Sequence, residues 1–287
     1  MKLSQRLAIG YIQTKFKLLT VVSKKKAAAK AFELFSKPYM KSKRKAPLAG
    51  AEEISFTMEN PGGKKQPLTI RGYRWNHPCA HRILILHGFG SAAHKFELYA
   101  APLVDKGYEV LAFDAPAHGA SEGVTTNAIA YAEMIRKVIA LYGPIQGFIA
   151  HSFGGIALSL VMETIPHDAG TKIVFIAPAT ETSTAVDQAF GMLKLKNRKV
   201  RDEFEKIGLE VSGGKPISWY SIRRAMHHVK AHVLWLHDEE DEITPLADAL
   251  KVKEDDHPNI HFVITKGLGH QKIYRDPAIQ KQVVAFL

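Results

Sequence analysis

The chain of 287 residues is 46 % hydrophobic and 23 % charged, with one cysteine, Cys79, which excludes a disordered polymer, a disulfide scaffold and an all-cysteine metal site and fits the reducing cytoplasm. Its net charge of +11 is uneven: residues 1–50 hold 13 Lys/Arg against one acid, Glu33, whereas residues 51–287 balance to −1. The basic character therefore belongs to an N-terminal extension, and the remainder makes no electrostatic case for nucleic-acid binding.

Residues 3–23 carry Leu3, Leu7, Tyr11, Leu18 and Val22 at helical spacing, with Ile9, Ile12, Phe16 and Leu19 on neighbouring faces, so a helix with a broad apolar side is predicted. Lys15 and Lys17 interrupt the apolar run and no small-residue cleavage site follows, so the segment reads as retained rather than as a secretory leader. A Lys/Ala-rich patch follows at Lys24–Lys30, and Lys41–Lys45 read as a solvated linker. From Glu53 the pattern changes to short β-rich runs at Ile54–Met58, Leu68–Trp75 and Arg82–His87. Continuously apolar strands then recur at Tyr108–Phe113, Ile145–Ala150, Lys172–Ala177, His232–His237 and Ile260–Thr265, alternating with helical segments near 95–106, 126–142, 154–165, 245–253 and 277–286. That alternation predicts an α/β architecture: a mostly parallel eight-stranded sheet flanked by helices and preceded by an antiparallel pair.

The uncharged run Val138–Met162 is long enough to span a bilayer, but Gly143-Pro144 and Gly154-Gly155 divide it into strand, turn and helix. From Pro178 to about Lys230 the chain is longer than one crossover helix requires, and an inserted helical cap is expected at about 178–230 within a domain spanning 51–287. Its Phe190, Met192, Leu193, Phe204, Ile207, Trp219 and Tyr220 either line an apolar pocket or form plain core.

The central motif is Ile149-Ala150-His151-Ser152-Phe153-Gly154-Gly155, between an apolar strand and an apolar helix. Small residues two before and two after the serine permit a sharp turn that exposes Ser152 with a helix N-terminus behind it; an N-cap or turn serine is the plainer reading of the motif alone. His87-Gly88-Phe89-Gly90 and Asp114-Ala115-Pro116-Ala117-His118-Gly119-Ala120-Ser121 each follow an upstream strand, and Asp241-Glu242-Ile243-Thr244-Pro245 and Gly267-Leu268-Gly269-His270 each follow a downstream one. Five motifs in this order strongly resemble the α/β-hydrolase superfamily over about residues 53–287. The resemblance implies a triad of Ser152, Asp241 and His270, in that fold's chain order, and an oxyanion hole from the backbone N–H groups of Phe89 and Phe153. Ala150 stands where the family's elbow has its first glycine, Ala117 replaces a loop glycine, and Asp238 occupies a frequent glycine position; none removes a reacting group.

In such a triad the imidazole of His270 takes the serine proton and returns it to the leaving group, while Asp241 orients the ring. The run Asp238–Glu242 offers five carboxylates; the resemblance implies Asp241 through its spacing from Pro245 and His270, with Asp238 the reserve and Glu181 a remote third option. His151 and His118 are expected to support the elbow and its neighbouring loop, and His94 to border the oxyanion loop. His77 and His81 flank Cys79, and His227, His228 and His232 form another cluster, but neither set has a recognised ligand spacing, so no metal is expected. Cys79 reads as an inert small residue. Gly62-Gly63 and Gly213-Gly214 read as turns; with no Gly-x-Gly-x-x-Gly opening a helix after the first strand and no Gly-Lys-Ser/Thr loop, no nucleotide cofactor is implied.

The expected function is hydrolysis of a carboxylic ester or thioester of a small or acyl-chain substrate through an acyl-enzyme. Amide or carbon–carbon bond hydrolysis on the same triad, or non-catalytic ligand binding, are the alternatives. For residues 1–45 two readings stand level: docking on an anionic membrane surface at the inner face of the cell, or packing of the apolar side against the body with the lysines in solvent. Nucleic-acid contact ranks third, and the motifs do not encode oligomeric state.

Overall fold

The computed structural model describes residues 3–39, 42, 46–60 and 66–287; the expected linker Lys41–Lys45 (Ser42 excepted) and the turn Gly62-Gly63 lie outside the described residues. In chain order the helices are α1 (Leu3–Val22), α2 (Lys24–Ser36), α3 (Glu97–Asp105), α4 (Ala128–Tyr142), α5 (Phe153–Met162), α6 (Thr182–Met192), α7 (Arg198–Val211), α8 (Ile222–Met226), α9 (Leu246–Glu254), α10 (Gly269–Lys272) and α11 (Pro277–Phe286). The strands are β1 (Glu52–Met58), β2 (Leu68–Trp75), β3 (Arg82–Leu86), β4 (Glu109–Phe113), β5 (Gly147–His151), β6 (Lys172–Ile176), β7 (His232–Asp238) and β8 (Ile260–Thr265).

The eight strands form one sheet in the order β1-β2-β4-β3-β5-β6-β7-β8. β1 pairs antiparallel with β2 and β2 with β4, and every later pairing is parallel. The continuous apolar runs reflect burial on both faces. Alternate residues Ile83, Ile85, Val110, Ile149 and Val174 pack with Phe96, Tyr99 and Leu103 around α3 and with Ile279 and Val283 of α11. Their neighbours Leu84, Leu111, Phe148, Phe175 and Trp235, facing the other way along the pleat, are equally buried. Each such side chain stabilises the fold by about 1.5–3 kcal/mol on burial.

The chain divides into two compact units. One is the sheet with its helices, Pro38–Thr180 and Ser221–Leu287; the other joins α1 and α2 to Glu181–Tyr220. The helix predicted over 3–23 ends at Val22, because Ser23 takes an extended conformation and its hydroxyl accepts the Lys26 N–H, capping α2. The Lys/Ala patch is thus the start of a second helix, whose small residues Ala27, Ala28 and Ala31 are buried. In this unit Phe204 of α7 lies against Phe32, Phe35 and Phe190, with ring centroids 5.2, 6.0 and 5.1 Å away. Phe190, Leu193 and Phe204 join Phe16 and the three alanines in one core, whereas Met192 is exposed. Gln13 of α1 adds a side-chain bond to the Met192 carbonyl at 2.7 Å.

Candidate active site

The site lies at the C-terminal ends of the parallel strands. Ser152 joins β5 directly to α5 with φ 53° and ψ −117°, a conformation that residues other than glycine seldom adopt. Both of its backbone groups are tied down: its N–H donates to the Ile176 carbonyl at 3.1 Å, and its carbonyl accepts from Gly155 and Ala179, each at 2.9 Å. The small residues after it are required by close approach. A Cβ on Gly154 would sit 2.7 Å from the Leu86 carbonyl oxygen, and one on Gly155 would sit 2.7 Å from Pro178 Cβ. Ala150, buried where β5 pairs with Leu86 of β3 and Phe175 of β6, fits without a glycine.

His270 faces Ser152 from the start of α10, the short helix after β8. Its Nε2 lies 3.0 Å from Ser152 Oγ, and its Nδ1 lies 2.8 Å from Asp241 Oδ2. Asp241 is buried, and its Oδ1 accepts the N–H groups of Ile243 and Thr244 at 2.9 and 2.8 Å. The Thr244 hydroxyl is 2.8 Å from Asp241 Oδ2 and 3.1 Å from His270 Nδ1. Burial pushes the Asp241 carboxyl up, but the hydrogen bonds and charge of His270, with the Thr244 donors, outweigh it and hold the carboxyl below its ordinary range. The arrangement presents a hydroxyl to a base whose far nitrogen faces an anion, so a proton can leave Oγ and the resulting imidazolium is stabilised.

Beside Ser152 runs the loop His87–Gly90. Gly88 is obligatory there, since a Cβ would lie 2.8 Å from His151 Nδ1 and 3.0 Å from Ser152 Cβ. His118 Nε2 accepts the Gly90 N–H at 2.9 Å, and His87 Nε2 accepts the Ala115 N–H at 2.9 Å, so two histidines pin the loop from below. Burial pushes His87 down to about 4 despite its bond to the Gly88 carbonyl. The two oxygens of buried Asp114 accept from Ala93 and Ala120, joining this loop to the next. Among the described residues neither the Phe89 nor the Phe153 N–H has an acceptor. Phe153 is the first residue of α5, where a helix leaves its amides free. The two phenyl rings meet edge to face at 5.5 Å and are partly exposed, forming an aromatic wall there.

Residues 83–279 match the alpha/beta hydrolase family, more than half of the chain. The chain belongs to that family. The hydrolase is similar in structure to an esterase from Pyrococcus furiosus, with a TM-score of 0.62 at 17 % identity over 88 % of this chain and 95 % of that one. It is also similar to a serine hydrolase from the polyaromatic-hydrocarbon-degrading bacterium Cycloclasticus zankles, with a TM-score of 0.57 at 18 % identity over 82 % and 98 % of the two chains. Mouse alpha/beta hydrolase domain-containing protein 10 gives a TM-score of 0.54 at 17 % identity over 81 % and 96 %. No curated protein matches the sequence.

The other residues singled out in the sequence take distinct places. Asp238 makes no hydrogen bond to His270; its oxygens accept from Thr265 Oγ1 and from the N–H groups of Glu240, Leu268 and Gly269, so it anchors the entry to α10, which carries His270. Glu181 belongs to the helical unit. His94 Nε2 lies 3.4 Å from the Ser42 hydroxyl, a contact the sequence did not disclose. Ala117 has φ 68°, which explains why a glycine suits that position. Cys79 Sγ donates to the Gly107 carbonyl, and His77 lies 3.2 Å from buried Glu109. Of the cluster His227, His228 and His232, only His227 groups with other ligand-type side chains among the described residues: a ring nitrogen of His227, a carboxylate oxygen of Asp255 and a ring nitrogen of His257 lie within 4.8 Å of one another. Both Asp255 oxygens already accept from Arg223, which matches the carboxylate's charge. Thr244 was missed as a site residue. The Asp-x-x-Thr spacing carries it, as an Asx-type turn in which the acid caps its own loop.

Proposed function

We propose that the hydrolase cleaves carboxylic esters or thioesters through an acyl-enzyme on Ser152. The observation that carries this reading is the continuous chain Ser152 Oγ, His270 and Asp241 at 3.0 and 2.8 Å, beside two amides without acceptors. Ser152 Oγ attacks the acyl carbon as His270 Nε2 takes its proton, and the Phe89 and Phe153 N–H groups receive the oxyanion. Collapse of the tetrahedral intermediate breaks the carbon–oxygen or carbon–sulfur bond, and His270 returns the proton to the departing alcohol or thiol. Water then attacks the acyl-enzyme, His270 again accepting a proton, and the acid leaves as Ser152 recovers its own. Such a hole contributes on the order of 3 kcal/mol per donor. The aromatic wall of Phe89 and Phe153 favours an apolar acyl group over a highly polar one.

Intact mass after treatment with a fluorophosphonate tests the proposal. One adduct is expected on the wild-type chain, absent in Ser152→Ala and slowed in His270→Ala. Matched ester, thioester and anilide panels then rank the bond type. A folded protein that takes no adduct and turns over none of these overturns the reading in favour of ligand binding.

A further inference from the structure

α1 is apolar on two sides. Its inner residues Ile12, Phe16 and Leu19 pack in the core of the helical unit, Phe16 being 3 % exposed. Its outer residues Tyr11, Leu18, Val21 and Val22 are 70, 65, 76 and 77 % exposed. At 100° per residue, Tyr11, Leu18 and Val22 fall within about 40° of one another, so they form a stripe rather than scattered exposed side chains. Lys15 lies about 40° from Tyr11 on one side of that stripe and Lys17 about 40° beyond Val21 on the other, and Lys25 and Lys26 follow at the start of α2; all four are exposed. The two readings of the extension are therefore not exclusive: one face of α1 is packed and the other is open.

We propose that the outer stripe of α1 docks on an anionic lipid surface. The occupant must accept apolar side chains and positive charge together. A second copy offers the stripe another surface of the same sign, since residues 1–50 carry 13 basic groups and one acid. A nucleic acid would use the lysines and leave Leu18, Val21 and Val22 in water. An anionic bilayer satisfies both: the aliphatic residues enter the headgroup boundary, Tyr11 lies at the interface, and the lysines meet lipid charge. No helix among the described residues is long and apolar enough to cross a membrane, so the contact is peripheral. This inference is independent of the chemistry at Ser152.

The test is sedimentation of the full chain with phosphatidylcholine vesicles, with and without phosphatidylglycerol, at low and high salt. Wild type is expected to sediment with the anionic vesicles only and to be released by salt. Leu18→Ser/Val22→Ser and Lys15→Glu/Lys17→Glu should each weaken binding at least about tenfold, with circular dichroism and fluorophosphonate labelling unchanged. Wild type that stays in the supernatant, or variants that sediment equally well, overturns the proposal. So does a wild-type dimer that Leu18→Ser/Val22→Ser converts to monomer, which assigns the stripe to a second copy.

Discussion

The Nε2–H of His151 donates to the main-chain carbonyl of His270 at 3.1 Å. A carbonyl only accepts, so this bond fixes the His151 tautomer and leaves Nδ1 as a bare lone pair, buried and without a partner. The residue before the proposed nucleophile thereby holds the backbone of the proposed base, and the two imidazole centroids are 4.8 Å apart.

His151→Leu should lower kcat by about tenfold or more with little change in KM, because it removes the donor that positions His270. His151→Gln, which can place an N–H near the same point, should restore most of that loss. Steady-state hydrolysis of an activated ester checks both, and equal loss in the two variants would show that ring packing matters rather than the donor.

Acid should destabilise the fold well above the carboxylate range. Burial, followed by the adjacent His270, pushes His151 down to about 3 from an ordinary 6.5, and His87 is pushed down to about 4. The unfolded chain binds protons that these native imidazoles refuse, so stability declines as pH falls below about 6.5. Each group costs about 1.4 kcal/mol per pH unit until its folded value is reached. Asp241 adds its own loss only below its ordinary 3.8. Thermal unfolding across this range should therefore show a smaller acid slope in His151→Gln than in wild type.

The two aspartates of the acidic loop should separate cleanly. Asp241→Asn should reduce kcat by roughly 10⁴ while leaving Tm nearly unchanged, as expected for the group that orients the imidazole. Asp238→Ala strands three backbone amides and the Thr265 hydroxyl, which should cost about 2–4 kcal/mol and lower Tm by several degrees. Calorimetry paired with kinetics distinguishes them; a stability loss confined to Asp241→Asn would reverse the assignment.

Gly88→Ala should lose about 10² in kcat/KM or more, since the new methyl meets His151 Nδ1 and Ser152 Cβ and must displace the Phe89 N–H. Gly90→Ala is the control: its Cβ meets open space, though at φ 70°. It should cost about 1 kcal/mol of stability with a smaller effect on activity. Rates and melting temperatures of the pair check this.

The strands were legible because burial on both faces writes uninterrupted apolar runs, and the predicted limits of β2 and β8 coincide with the observed ones. Ser152 and His270 were legible because each sits in a glycine-containing turn after an apolar strand. Asp241 needed the family's spacing, since composition does not rank five adjacent acids. Thr244 and Asp238 act through bonds to backbone and to neighbouring side chains, which leave little trace in residue type. The breadth of the apolar side of α1 was legible, but not which part of it is covered. Which of its apolar residues are covered depends on Phe190 and Phe204, which lie far away in the chain.

The make-up of the helical unit also sets an order of events during synthesis. α1 and α2 leave the ribosome with Phe16, Ala27, Phe32 and Phe35 uncovered, and their partners in α6 and α7 follow only after more than 140 further residues. At about 5–20 residues per second, that interval lasts on the order of ten seconds. Throughout it the sheet can begin to pair, while a basic helical hairpin waits with both apolar faces open. Closing it is a long-range step with a large loop-closure cost. The helical unit can therefore close only once Tyr220 has emerged, and the core of the sheet waits longer still for Leu234, Ile279 and Val283.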